Sequence, residues 1–244
     1  MCFSAGASFT GGVIISAIGI ATVREVHKPS QLVFAYIPLF FGLQQMIEGT
    51  LWLTIPLPDY ATLQKISTYC FLIMANFLWP TIIPLAVLLM EKNKKRKIIL
   101  QVLLGLAVSL SIYYAYCLLF FNISPQIMGY HIQYNTTFPK SLSTPAFIIY
   151  LFVTIPPLFI SSIKRTHLLG ILMFFSCLIT AIFFTQYLTS VWCFFAALIS
   201  GVIFWILNDS KKEFHFNRLA LLKIQTDLLN KKWSFPVKYY SSHL

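Results

Sequence analysis

Charge is what this sequence lacks. Only 10% of its 244 residues are charged, against about 25% in a typical soluble domain, and just seven are acidic. So few polar groups cannot cover the surface of a water-soluble globule, which excludes a soluble enzyme and a nucleic-acid binder despite a formal charge of +11. Cysteine is sparse as well. Five thiols in a chain this long and this apolar do not make a disulfide-framed secreted domain. Internal repeats, low-complexity tracts and a Gly-rich phosphate loop are all missing. The five histidines (His27, His131, His167, His215 and His243) fall in loops or at the ends of apolar stretches, so a membrane metallohydrolase has no ligand cluster to work with. What the sequence has in abundance is apolar surface: 58% of residues, 23 of them Phe, with a mean hydropathy of +0.76. The expected fold class is all-α, an integral membrane bundle.

A membrane helix needs roughly 20 mostly apolar residues. Seven such stretches are expected, at about 5–23, 32–55, 66–90, 98–121, 146–163, 167–186 and 188–207. Pro156-Pro157 should kink or end the fifth, because each proline removes a backbone donor. The basic residues orient the bundle. Sixteen lie in the loops and tail on one side of a seven-span arrangement, and only Lys65 and Lys140 lie on the other. The positive-inside rule then places the N-terminus outside and the C-terminus in the cytoplasm, and the basic charge reports topology rather than a nucleic-acid partner. The seventh stretch holds no lysine, so a rhodopsin-type Schiff base is unavailable there. The N-terminal run has neither a basic start nor a clear cleavage site and reads as a retained span.

Two domains are expected, a seven-helix transmembrane domain over 1–207 and a basic amphipathic cytoplasmic tail over 208–244. The tail mixes Phe214, Phe216, Leu219, Leu222, Leu229 and Trp233 with seven basic residues, which fits a helix lying on anionic lipids or a frayed solvated end. Its 37 residues are too few for a signalling output domain. The outer loop 122–145 is expected to cap the outer face. Its Asn122-Ile123-Ser124 and Asn135-Thr136-Thr137 triplets match the glycosylation pattern, which matters only in a secretory compartment.

Ionisable groups at the centre of a bilayer cost several kcal/mol, so their positions carry information. Of the seven acids only Glu48 falls well inside a span, about 10 Å below its outer end at 1.5 Å per residue. Gln44 precedes it by one turn and Trp52 follows by one turn, on the same face, with Gln45 flanking. No Lys or Arg lies within the spans to pair with it. Three readings stand open: a neutral acid in an interhelical hydrogen-bond knot, a bound cation, or a proton-exchanging site. Asn76 lies at matching depth in the third span, followed by Pro80 and Pro84, which free carbonyls one turn earlier and allow irregular backbone to line a cavity. Trp192 and Cys193 open the seventh span. Together these residues point to an outward-facing polar pocket between spans 2, 3 and 7.

The cysteines are Cys2, Cys70, Cys117, Cys177 and Cys193. They read as small buried apolar thiols, with one disulfide conceivable between Cys70 and Cys117 at similar depth. Removal of Met1 would make Cys2 the first residue, where its amine and thiol could act as a nucleophile or chelate a metal. No cofactor is identifiable.

The opening Met1-Cys2-Phe3-Ser4-Ala5, the run Gln44-Gln45-x-x-Glu48-Gly49-x-x-Trp52 and the run Ser190-x-Trp192-Cys193-Phe194-Phe195-Ala196 resemble an uncharacterised family of bacterial polytopic membrane proteins beginning Met-Cys-Phe-Ser. The resemblance covers residues 1 to about 207 and implies a bacterial inner-membrane setting, with no activity to carry over. The seven-span layout with its N-terminus outside is also similar to sugar-carrier and PQ-loop families. The sole Pro-Gln pair, Pro125-Gln126, lies in a loop, so their helix-embedded motif is missing. The expected function is binding or carriage of a small molecule or cation through a pocket around Glu48. The alternatives are a thiol or redox enzyme using Cys2 or Cys193, and a structural accessory subunit.

Overall fold

The computed structural model of the protein describes residues 4–211. The expectations about Cys2 and about the tail beyond Lys211 fall outside the described residues. Seven helices are long and apolar enough to cross a membrane: Ala5–Arg24, Pro29–Thr54, Pro58–Met90, Lys94–Phe120, Ser141–Ile160, Lys164–Phe183 and Thr185–Lys211. Each expected stretch coincides with one of them, with shifted ends. The third begins at Pro58, not at about 66, because Pro58 at the first helical position opens a 3-10 turn that runs directly into the helix. The fifth and sixth end about three residues earlier than expected.

The first span is α1 (Ala5–Arg24), capped by the Ser4 hydroxyl, which accepts from the Ala7 N–H at 3.2 Å. It packs against α2 (Leu32–Thr54) at backbone distance. A Cβ on Gly42 would sit 2.2 Å from Ser16 Oγ and 2.9 Å from its backbone nitrogen, and one on Gly19 would sit 2.7 Å from Leu39 N. Such close approach at small residues gives dense van der Waals contact, the packing that pairs helices in an apolar solvent.

The third span is α3 (Ala61–Ile73), a π turn (Met74–Leu78) and α4 (Trp79–Met90). Its irregular middle follows from Pro80. In the π turn the Trp79 N–H reaches back to Met74 O, and the next donor in that register would be residue 80, which has no N–H. Ala75 O therefore lacks a backbone donor, and the Tyr150 hydroxyl supplies one at 2.8 Å. Phe77 O is met from the neighbouring helix by Ser111 Oγ at 3.1 Å. After α5 (Lys94–Phe120), the fifth span is divided at the expected Pro156-Pro157 into α6 (Lys140–Thr154) and α7 (Pro156–Ile160). The bundle closes with α8 (Lys164–Phe183) and α9 (Leu188–Ser200), and helix resumes over 202–211.

Residues 122–145, expected to be a loop, contain an antiparallel hairpin of β1 (Ile123–Met128) and β2 (His131–Thr136). Gly129, at φ +61°, opens the tight turn between Met128 and His131. The hairpin folds over one end of the bundle. Ile132 is fully buried in a cluster with Leu51, Phe71, Leu72, Ala75, Leu118 and Cys193, and the Tyr134 ring stacks on Phe71 at 5.0 Å. His131 packs against Tyr187 and Phe184 at 4.8 and 5.1 Å. Cys70, Cys117, Cys177 and Cys193 are free thiols, so the conceivable Cys70–Cys117 bridge is not formed.

Candidate functional site

Glu48, Gln44 and Gln45 are all fully buried, on the side of α2 that packs into the bundle. Ser190, two residues into α9, donates its hydroxyl to one Glu48 oxygen, and Gln45 Nε2 approaches the other at 3.5 Å. One turn along, Gln44 and Cys193 repeat the link between the same two helices, with Gln44 Nε2 at 3.5 Å from Cys193 Sγ. The i, i+4 spacing of Gln44 and Glu48 thus faces the i, i+3 spacing of Ser190 and Cys193. Gln44 is fixed from its other side: its Oε1 accepts from Trp79 Nε1 at 2.7 Å, and its Nε2 also lies 3.5 Å from Phe71 O. Trp79 is held in turn by stacking on Phe41, with ring centroids 3.7 Å apart. The result is a buried polar knot that joins α2, the third span and α9.

Asn76 and Trp192 belong to a different space. A recess of about 80 Å³ lies between the third, fourth, fifth and seventh spans. Ala75 and Asn76 of the π turn line it, with Tyr114, Phe147 and Tyr150 opposite, and Leu188, Thr189, Trp192 and Cys193 from α9. Asn76 is half-buried there and touches this recess rather than the Glu48 carboxyl, and Glu48 is not among the lining residues. Trp192 separates the recess from a void of about 20 Å³, room for one or two waters, under Trp79 and Phe41. Cys193 is the hinge between the two arrangements, lining the recess while accepting from Gln44. Trp52 sits apart, half-buried at the edge of the cluster under the hairpin. Three buried polar atoms of these residues, Gln45 Oε1, Trp52 Nε1 and Trp192 Nε1, have no hydrogen-bond partner among the described residues.

Sequence reasoning did not assign roles to Ser190, Trp79 or Tyr150. Ser190 and Trp79 were visible as polar or aromatic residues beside the motifs, and only the packing of α9 on α2 pairs the one with Glu48, and that of the third span on α2 the other with Gln44. Among the described residues no group of three His, Cys, Asp or Glu is placed to hold a metal.

A second buried carboxylate organises the opposite end of the bundle. Glu91, 3% exposed, caps the third span and accepts from Lys92 N and Asn93 N (both 2.8 Å), from Ser162 N at 2.7 Å and from Ser162 Oγ at 2.6 Å. Arg96 reaches the same turn through Ile160 O and Ser162 Oγ. Burial pushes the Glu91 carboxyl up, but the bond from the Ser162 hydroxyl and the three backbone N–H bonds outweigh it, so the group titrates below its ordinary value of 4.5.

The model of a family of unknown function, DUF6629, matches residues 1–217, and the chain belongs to that family. No curated protein and no solved structure matches the chain.

Proposed function

We propose that this member of the family is an integral protein of a bacterial cytoplasmic membrane, with its N-terminus outside and its C-terminus inside. In this reading it binds or carries a small molecule or cation in a pocket in the outer half of the bundle. Asn76 of the π turn and Trp192 and Cys193 of α9 line the binding space, the knot of Glu48, Gln44 and Gln45 on α2 lies behind it against Ser190 and Cys193, and Trp52, expected as part of the same pocket, lies apart from both. The observation that carries the reading is a fully buried carboxyl, held across two helices by Ser190, one turn from the Cys193 that lines an open recess. An intramembrane acid costs several kcal/mol, which makes such a group the default candidate for a binding site or ion path. The orientation rests on sixteen basic residues against two. The same asymmetry makes anionic lipid the partner of the basic tail.

A panel of cations and small polar solutes, screened by thermal shift on purified wild type and on Glu48→Gln, tests the proposal. A ligand that stabilises the wild type and not the variant supports it. Identical responses across the panel would remove Glu48 from the mechanism. Reporter fusions at both termini check the orientation, and a reporter showing the C-terminus outside would refute it.

A further inference from the structure

The recess between the third, fourth, fifth and seventh spans has a composition of its own. Four aromatic side chains line it, Tyr114, Phe147, Tyr150 and Trp192, and no basic one does. Trp192 is 6% exposed and packs edge-to-face against Tyr150, with ring centroids 5.5 Å apart at 63°, and both rings border the recess. Asn76 and Thr189 supply the polar edge. Tyr150 does not compete for an occupant through its hydroxyl, which is committed to Ala75 O.

These features select among ligand classes. The face of an aromatic ring is the negative part of its quadrupole, so four rings and no Lys or Arg disfavour an anion. A bare sodium or calcium ion needs about six oxygen ligands, and the recess offers few beyond Asn76, Thr189 and Tyr114. A weakly hydrated organic cation is the class that gains from ring faces on several sides, because cation–π attraction replaces a hydration shell that costs little to lose. Size agrees. At roughly 10–15 Å³ of such volume per water-sized group, 80 Å³ accommodates about five to eight non-hydrogen atoms, the size of a tetramethylammonium or choline-like group.

We propose that the recess formed by Tyr114, Phe147, Tyr150 and Trp192 is an aromatic cage for a small alkylammonium ligand. The proposal deepens the pocket reading and rests on it, naming the ligand class. Ser190, which holds Glu48, lies one helical turn from the lining residue Cys193, so an ionised Glu48 would add a favourable field behind the cage.

The test is calorimetric titration of the full-length protein in lipid nanodiscs with tetramethylammonium chloride. Tert-butanol serves as the neutral match and sodium chloride as the ionic one. The expected result is saturable tetramethylammonium binding at least about tenfold tighter than tert-butanol. Phe147→Leu and Trp192→Leu should each weaken it by about threefold to thirtyfold, with Phe147→Leu as the variant at a half-buried position that leaves the core packed. Unfolding midpoints establish that each variant is folded. Equal affinity for the charged and neutral probes, no saturable binding, or undiminished binding in folded leucine variants would each overturn the proposal. Glu48→Gln separates the two readings. Tetramethylammonium binding that survives it keeps the cage and removes Glu48. A Glu48-dependent response to another solute, with none to tetramethylammonium, does the reverse.

Discussion

Replacing Tyr150 by phenylalanine isolates the bond that completes the π turn. The change keeps the ring and its packing and removes only the hydroxyl that donates to Ala75 O at 2.8 Å. Ala75 is 2% exposed, so water cannot take over. Orphaning a buried acceptor costs about 1–3 kcal/mol in soluble proteins, and single interhelical hydrogen bonds in membranes are worth about 0.6 on average and about 1.7 at most. The overlap of these ranges predicts a loss of about 1–1.7 kcal/mol. The cause assigned is the missing N–H of Pro80, and that can be tested separately. In Pro80→Ala the backbone regains a donor. If the π turn persists, the new N–H serves Ala75 O; if it relaxes to an α-helix, Trp79 N–H does. On either course Tyr150→Phe should cost less than about 0.5 kcal/mol in the Pro80→Ala background, giving a coupling near 1 kcal/mol. Reversible denaturation of the four proteins in mixed detergent measures it. Equal costs for Tyr150→Phe in both backgrounds would refute the reasoning, because Tyr150 would then serve something other than a carbonyl stranded by proline.

Gly42→Ala places a methyl 2.2 Å from Ser16 Oγ and 2.9 Å from its backbone nitrogen, so it should destabilise by about 1–3 kcal/mol or more, whereas Gly105→Ala, with nothing within 4 Å, should be neutral or stabilising; equal effects at both sites would rule out the close α1–α2 contact. Ser162→Ala should cost about 0.5–1 kcal/mol at neutral pH, because the lost bond is to an ionised Glu91 but Ser162 is exposed and water can partly replace it. Since the folded state holds that carboxyl below 4.5, its stabilisation is complete above that pH and is lost as the pH falls through the lower folded value; a Ser162→Ala cost that did not shrink in acid would contradict this. Ser190→Ala should weaken the α2–α9 link by about 0.6–1.7 kcal/mol, read as a lower unfolding free energy, and no change would show that the Glu48 contact is not formed.

The seven long apolar helices were legible because their signal, a sustained run of about 20 apolar side chains, is local and needs no tertiary contact to complete it. The break at Pro156-Pro157 and the irregular backbone before Pro80 were legible for an equally local reason, the absence of an N–H. The hairpin was not. Pro125 and Pro139 mark a loop, and the alternation of β1 and β2 is short, so what makes them strands is tertiary: Ile132 enters a buried cluster and Tyr134 lands on Phe71. The Glu91 clasp was hidden likewise, since Ser162 lies 71 residues away and only the return of the fifth span brings it near. At the candidate site, helical spacing identified the shared face of Gln44 and Glu48. It could not tell which partner each would meet, because that depends on how α9 crosses α2.

That crossing also explains why the polar residues at this end of the bundle divide into two groups rather than forming one basin. On α9, Ser190 and Cys193 face α2 and are consumed by Glu48 and Gln44, while Thr189 and Trp192 turn toward the π turn and α6. Cys193 belongs to both faces. An occupant of the recess that pressed on its thiol would act on Gln44, whose carboxamide cannot yield without stretching the 2.7 Å bond from Trp79. Trp79 is in turn clamped by Phe41 of α2, so the load returns to the helix that carries Glu48. Packed side chains with discrete arrangements transmit displacement in this way, whereas a fluid interior would absorb it. An occupant of the proposed recess would thus be linked to the surroundings of a buried acid through four side chains, Cys193, Gln44, Trp79 and Phe41, and Gln44→Leu, which cuts that chain while leaving both ends intact, should uncouple the two: ligand binding in the recess would persist, and any sensitivity to Glu48→Gln would disappear.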